Sequence, residues 1–192
     1  MRPGTELPTH WNAAGQVDGT MPALAALLVP VVLVVATSLV FAIIPRIEPL
    51  QDRLEGSASV LRTSWIGLLG LALLIEIAVA APAFGRALPV ALPLLGAGLF
   101  LLLIGNVLPK SRPGFFVGIR TPWAIIDTDN WIATHRLGGK LMMAAGLVMV
   151  LAALLPLGPD ARTAAIAGSV GFAAIPPPVY SWWLWHRKKV DA

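Results

Sequence analysis

The chain contains no cysteine and little charge among its 192 residues. Without a thiol it can form no disulfide framework, no thiolate metal site and no cysteine nucleophile. Charged residues make up 12% of the total, about half the usual quarter for a soluble domain. That scarcity excludes disorder, which needs abundant charge and few apolar residues. It also excludes a soluble globule, which needs a polar skin. Also missing are a glycine-rich phosphate loop, paired histidines on a helix and a serine elbow, so neither an enzyme nor a cofactor or metal is expected. What is present is apolar: 57% of residues fall in AVILMFWYC, and there are 18 glycines. The class is an integral membrane protein.

The few charges are spaced to leave long gaps. Stretches free of Asp, Glu, Lys and Arg cover 19–45, 87–109, 141–159 and 163–186, and a fifth, 63–85, is interrupted only by Glu76. About 20 apolar residues cross the hydrocarbon core. The pattern therefore predicts an all-α, polytopic helix bundle with about five spans, near 22–44, 64–84, 87–108, 137–156 and 162–186. The first run is too long for a signal peptide and follows a polar stretch rather than a short basic one. Eleven of the fourteen basic residues fall in 46–62, 110–140 and 187–189; only Arg2, Arg86 and Arg162 lie on the other side. By the positive-inside rule the N-terminus is expected outside and the C-terminus in the cytoplasm of a bacterial plasma membrane. The net charge of +4 then reports topology, not direct nucleic-acid binding.

The segment 46–62 alternates in sign and reads as a solvated linker. The other inward segment, 106–140, holds most of the chemistry. Pro109 and Pro113 should stop the third helix near Leu108. Phe115, Phe116, Val117 and Ile119 are too apolar for a free loop, so the stretch should lie at the membrane surface or tuck into the bundle. Arg120, Thr121, Pro122 and Trp123 put a cation, a hydroxyl and an indole on a proline turn, as an interfacial anchor or a docking surface. Asp127 is a good N-cap for a helix from Thr128 to about Leu155, whose first two turns would project beyond the core. There Trp131 and His135 are neighbours at i, i+4. His135 is a base or ligand candidate, but no second histidine or acid stands at metal spacing, so a structural hydrogen-bonding role is expected. Gly138 and Gly139 open a face for close packing, as do Ala164/Gly168 and Ala167/Gly171.

The polar stretch with His10, Trp11 and Asn12 reads as a headgroup-level cap outside the membrane. Glu76, the one acid inside a span, is a functional or a structural group, with Asn106 or Tyr180 as expected partners. Pro176, Pro177 and Pro178 should kink the last helix, which ends in an aromatic belt and a basic stop.

Two segments resemble known sequences. The run LPKSRPGFFVGIRTPWAIIDTDNWIATHRLGGK from Leu108 is similar to the signature of the SdpI family of bacterial membrane immunity proteins. The matching positions include Lys110, Gly118, Arg120, Thr121, Pro122, Trp123, Trp131, Thr134, His135 and Arg136, and Phe116 and Asp127 within the same run join them as candidates for the response to a partner or toxin. The early PTHWN resembles the extracellular motif of a membrane domain often found before it, at Pro8, His10, Trp11, Asn12, Gly15 and Asp18. The resemblance implies two parts: 1–63, with that motif, the first span and a linker, and 64–192, a four-helix membrane domain. It implies protection from a secreted antimicrobial or toxin peptide. In its best-known form the family also signals, by sequestering a transcriptional repressor at the membrane. Family members typically carry a further helix before PTHWN, so this chain reads as a five-helix variant or one truncated at its start. Competing classes are a transporter using Glu76 and a membrane-embedded enzyme using His135, Arg120 and Asp127.

Overall fold

The computed structural model describes residues 4–12, 16–86 and 91–190. The expected motif residue Gly15 and the start of the third expected span, at 87, lie outside the described residues. Two strands precede seven α-helices: β1 (Glu6–Trp11), β2 (Val17–Pro22), α1 (Ala23–Ile47), α2 (Gln51–Ala80), α3 (Ala91–Val107), α4 (Pro122–Ile126), α5 (Thr128–Leu154), α6 (Pro159–Ala174) and α7 (Pro176–Val190). Four helical stretches are long and apolar enough to cross a membrane: Ala23–Ile47, Leu54–Phe84, Ala91–Lys110 and Thr128–Leu154. The protein is a helical membrane bundle. Apolar side chains such as Leu24, Val32, Leu33 and Ile66 stand exposed along these helices, as a lipid-facing surface requires.

The expected fifth span differs. It is divided into α6 and α7, because three consecutive prolines remove the amide donors that would continue the ladder. The break replaces the expected kink.

The N-terminal cap is also more ordered than expected. It forms an antiparallel hairpin in which Leu7 faces Met21 and Pro8 faces Thr20, with irregularities around His10. Leu7 is buried in a small cluster with Ala23, Ala26 and Val79, against which Trp11 packs. The hairpin thus rests on α1 and the far end of α2, and defines one end of the bundle.

The other end carries most of the basic residues. There 46–62 is not a solvated linker: α2 begins at Gln51, and Glu48 is only 4% exposed.

The centre of the bundle is the α3–α5 seam. A Cβ on Gly105 would lie 2.7 Å from the Gly139 carbonyl oxygen, and one on Gly98 would lie 2.8 Å from that of Gly146. The reciprocal distances are 2.6 Å from both Gly139 and Gly146. Two glycine pairs seven residues apart on each antiparallel helix let the backbones touch. Gly138 and Gly139 are buried as expected. Gly168, by contrast, meets nothing within 4 Å and Gly171 only the tip of Ile175, so the small-residue face of α6 is not packed within this chain.

Candidate functional site

Local signals build the 106–140 segment. After α3, a single 3-10 turn at Leu108–Lys110 ends at Ser111, where Pro109 and Pro113 prevent helix. Thr121 caps α4 by accepting from the Ala124 amide, and Asp127 caps α5 by accepting from the amides of Asp129 and Asn130. Between these caps the chain is irregular, and its backbone groups need partners from elsewhere.

Glu48 supplies several. Its carboxylate accepts from the amides of Phe115 (3.1 Å) and Phe116 (3.1 Å) as well as Leu50 (3.2 Å). Ser57 Oγ pairs with both backbone groups of Arg112, accepting from its amide at 2.9 Å and donating to its carbonyl at 3.3 Å. The α1–α2 corner is therefore a cradle for the segment.

On the other flank, α5 holds it. His135 Nε2 accepts from the Ile119 amide at 2.8 Å, and Nδ1 lies 2.8 Å from the Trp131 carbonyl oxygen. An acceptor Nε2 carries no proton, so Nδ1–H must be the donor and the imidazole is neutral. The ring is fully buried and stacks on Trp131, with centroids 4.0 Å apart. Trp131 Nε1 donates toward Ser111 at 3.2 Å. Gly118 has a φ of +111°, and a Cβ there would strike His135 Nε2 and come within 2.7 Å of the Trp131 ring. Only glycine fits that backbone against that wall.

A third set ties α7 in. Ser181 Oγ donates to Asn130 Oδ1 at 2.6 Å, so at 2.7 Å it must accept from the Thr121 hydroxyl. Thr134 Oγ1 also donates to Asn130 Oδ1 at 3.1 Å, and Asn130 Nδ2 donates to the Ser181 carbonyl at 2.8 Å. All four side chains are buried, and they satisfy one another as buried polar groups must. Lys188 reaches Asp127 at 2.7 Å. Burial pushes the Asp127 carboxyl up, but the Lys188 ammonium and the two capping amides outweigh it and hold the carboxyl below its ordinary range. The same hydrogen bond raises the Lys188 ammonium.

The sequence-expected residues thus divide into two groups. Thr121, Trp131, Thr134 and His135 are buried and hold the segment, with Gly118 beside them. Lys110, Phe116, Arg120, Pro122 and Arg136 are exposed. Arg120 Nη1 donates back to the Phe115 carbonyl at 2.6 Å. Trp123 stacks on Trp185 at 5.7 Å, and its shielded Nε1 has no hydrogen-bond partner among the described residues. Sequence reasoning missed Glu48, Ser57, Ser111, Asn130 and Ser181. The signal was present for Ser181, a small polar residue beside three tryptophans, but not for Glu48, which resembled its charged neighbours.

At the hairpin end, His10 pairs with Asp18, and Asn12 joins Gln16 through side chains at 3.2 Å and through its Oδ1 to the Gln16 amide at 3.0 Å. Pro8 sits within β1. The expectation for Glu76 is corrected. Gly67 against Phe100, and Gly96 against Leu74, set the α2–α3 register, which puts Asn106 about 20 Å along the helix from the level of Glu76. Asn106 is exposed, Tyr180 stacks on Trp183, and Glu76 Oε2 has no partner among the described residues.

No group of three or more potential metal ligands occurs among the described residues.

Comparison with known proteins finds similarity in two stretches of the chain. Residues 110–181 match the model of the SdpI/YfhL protein family, and residues 5–34 match a domain of unknown function, DUF1648. Immunity protein SdpI of Bacillus subtilis (strain 168) is 30% identical over 57 residues, covering 30% of this chain and 28% of that protein. No solved structure matches the chain. The matched stretch takes in His135, Trp131, Thr121 and Ser181 together, the residues that lock the segment to its helices, so that over residues 110–181 the chain is similar to the SdpI/YfhL protein family.

Proposed function

We propose that the chain is a multi-pass membrane immunity protein, protecting its producer from a secreted, membrane-active peptide. The observation that carries the reading is the match of 110–181 to the SdpI/YfhL family, joined by a relative named an immunity protein. The proposed orientation puts the hairpin end outside and the basic end in the cytoplasm. Challenge of a sensitive host with secreted antimicrobial peptides, with and without the chain, tests it. Survival should rise in cells that carry the chain; identical killing of both strains by every peptide tried sinks the reading.

A second function belongs to the same segment. We infer that its exposed residues hold a cytoplasmic repressor at the membrane once toxin is bound. Support comes from the division of the segment, in which a fixed polar interior presents Lys110, Phe116, Arg120 and Arg136 on a surface built from a rigid turn. Arg120→Glu should abolish co-isolation of a repressor while leaving protein level and survival intact. Co-isolation that survives Arg120→Glu, Phe116→Ser and Trp123→Ala alike removes this part.

A further inference from the structure

The short connections at the hairpin end leave little room for a site within any one of them, yet three elements there enclose one jointly. A cavity of about 340 Å³ is lined by Trp11 and Asn12 of the hairpin, Leu94 of α3, and Arg162, Thr163 and Ile166 of α6. This is within the lower range of small-ligand pockets. Leu94 and Ile166 give it an apolar floor, with Ala91 and Ala167 widening it. Asn12, Thr163 and Arg162 supply polar groups at its edge.

Arg162 is the unusual member. Its Nη2 donates to the Leu157 carbonyl at 3.3 Å, a long bond, while its shielded Nε has no partner among the described residues. It is in no ion pair among the described residues, although Asp160 stands two positions away. A guanidinium is a planar fork of five donors suited to a carboxylate or phosphate. Here most of that fork is uncommitted, next to an apolar cavity. The shielded Nε lacks an acceptor among the described residues, and a carboxylate seated against the fork would supply one together with the opposite charge.

We infer that this cavity binds the free C-terminal carboxylate of an apolar peptide, with the carboxylate on Arg162 and the last side chain on Leu94 and Ile166. The volume takes a peptide's end, not its length. A peptide is favoured over a lipid because one wall is the hairpin, through Trp11 and Asn12, an element whose outer strand, Val17–Pro22, is almost wholly exposed and carries the polar Asp18 and Thr20. The inference rests on the immunity reading and gives it a place where the toxin is recognised.

The test uses the full chain in phosphatidylcholine nanodiscs and a fluorescent synthetic peptide ending in two leucines, made with a free or an amidated C-terminus. Empty nanodiscs correct for partitioning. The acid form should bind about tenfold more tightly than the amide, as a charge-assisted pair would give. The preference should vanish in Arg162→Gln, and Ala167→Leu, which narrows the cavity, should weaken both forms. Should Arg162→Gln not accumulate, Arg162→Lys keeps the charge without the fork, and the acid–amide comparison on the unaltered chain needs no variant. Equal binding of the two forms overturns the site, as does an acid preference that survives Arg162→Gln. If the acid form fails to bind in phosphatidylcholine while phosphatidylglycerol binds in an Arg162-dependent manner, the guanidinium is a lipid anchor and the peptide site is wrong. Cell survival separates the two claims: protection unaffected by Arg162→Gln removes the site and spares immunity, whereas no protection by the unaltered chain removes immunity itself.

Discussion

Two buried side chains, Glu48 and His135, hold opposite sides of one irregular segment, and they do so with opposite chemistry. Glu48 is an acceptor with two oxygens shared among three amides; His135 offers one acceptor nitrogen to one amide. In Glu48→Gln, one oxygen still accepts, but the new NH₂ faces the amides that the other oxygen served. His135→Ala leaves the Ile119 amide without a partner, which costs about 1–3 kcal/mol for a buried donor. Both variants should loosen 111–121 and open the Lys110–Ser111 and Arg120–Thr121 bonds to trypsin in detergent-purified protein, with faster cleavage read by mass spectrometry. An unchanged cleavage rate in both would mean that the helices alone fix the segment. His135 was legible in the sequence as a structural hydrogen-bonding residue because no second histidine or acid stands at metal spacing from it. Glu48 was not, because its partners are 67 and 68 residues away and its neighbours Arg46 and Glu55 carry charge into solvent. Nothing in a run of alternating signs marks the member that turns inward.

Elements were legible where a local rule sets their ends. Asp127 as a cap, Pro109 as a stop and the run from Thr128 to Leu154 all follow from hydrogen bonding within a few residues. The hairpin was not, since its strands lack the alternation of apolar residues that marks a half-buried sheet and only Leu7 is buried in it. The capping aspartate also makes a pH prediction. Its pKa is lowered in the fold, so the stabilisation it contributes is complete above the ordinary carboxylate value of about 3.9 and is lost as pH falls through the lower folded value. Lys188, raised, contributes fully below its ordinary value of about 10.4 and loses its share only above that. The thermal stability difference between the unaltered chain and Asp127→Asn, which keeps the cap but not the charge, should therefore stay constant from about pH 5 to 9 and shrink below about pH 4. A difference that already varies between pH 6 and 8 would point to another group. At the α3–α5 seam the prediction is steric. Gly105→Val places carbon against the Gly139 carbonyl, so the helices must part, at a cost of about 1–3 kcal/mol or more. The same change at Gly168, where nothing lies within 4 Å, should leave detergent stability unchanged.

Across the whole molecule, the two ends are distinguished by charge and joined by α1. This helix carries the hairpin on its first residue and delivers Glu48 to the basic segment just beyond its last. Most of its length meets lipid, since only Ala23, Ala26 and Ile44 of it are buried. It is thus fastened at its ends and little in between, and through Glu48 it is one path from the candidate peptide site to the candidate docking surface, beside α3, which runs from Leu94 straight into the segment. That path has meaning only if the two ends lie on opposite sides of the membrane, as the distribution of lysine and arginine predicts. The lack of cysteine gives a clean test, because any single introduced thiol is the chain's only one. Val17, 49% exposed on the hairpin, and Ile126, 79% exposed at the end of α4, are suitable positions. In intact cells a membrane-impermeant maleimide should label Val17→Cys and leave Ile126→Cys unlabelled until the membrane is permeabilised. Labelling of Ile126→Cys alone would invert the topology and put Arg162 in the cytoplasm, out of reach of a secreted peptide; labelling of both would show mixed insertion, and the hairpin could not then serve as a dedicated outer surface.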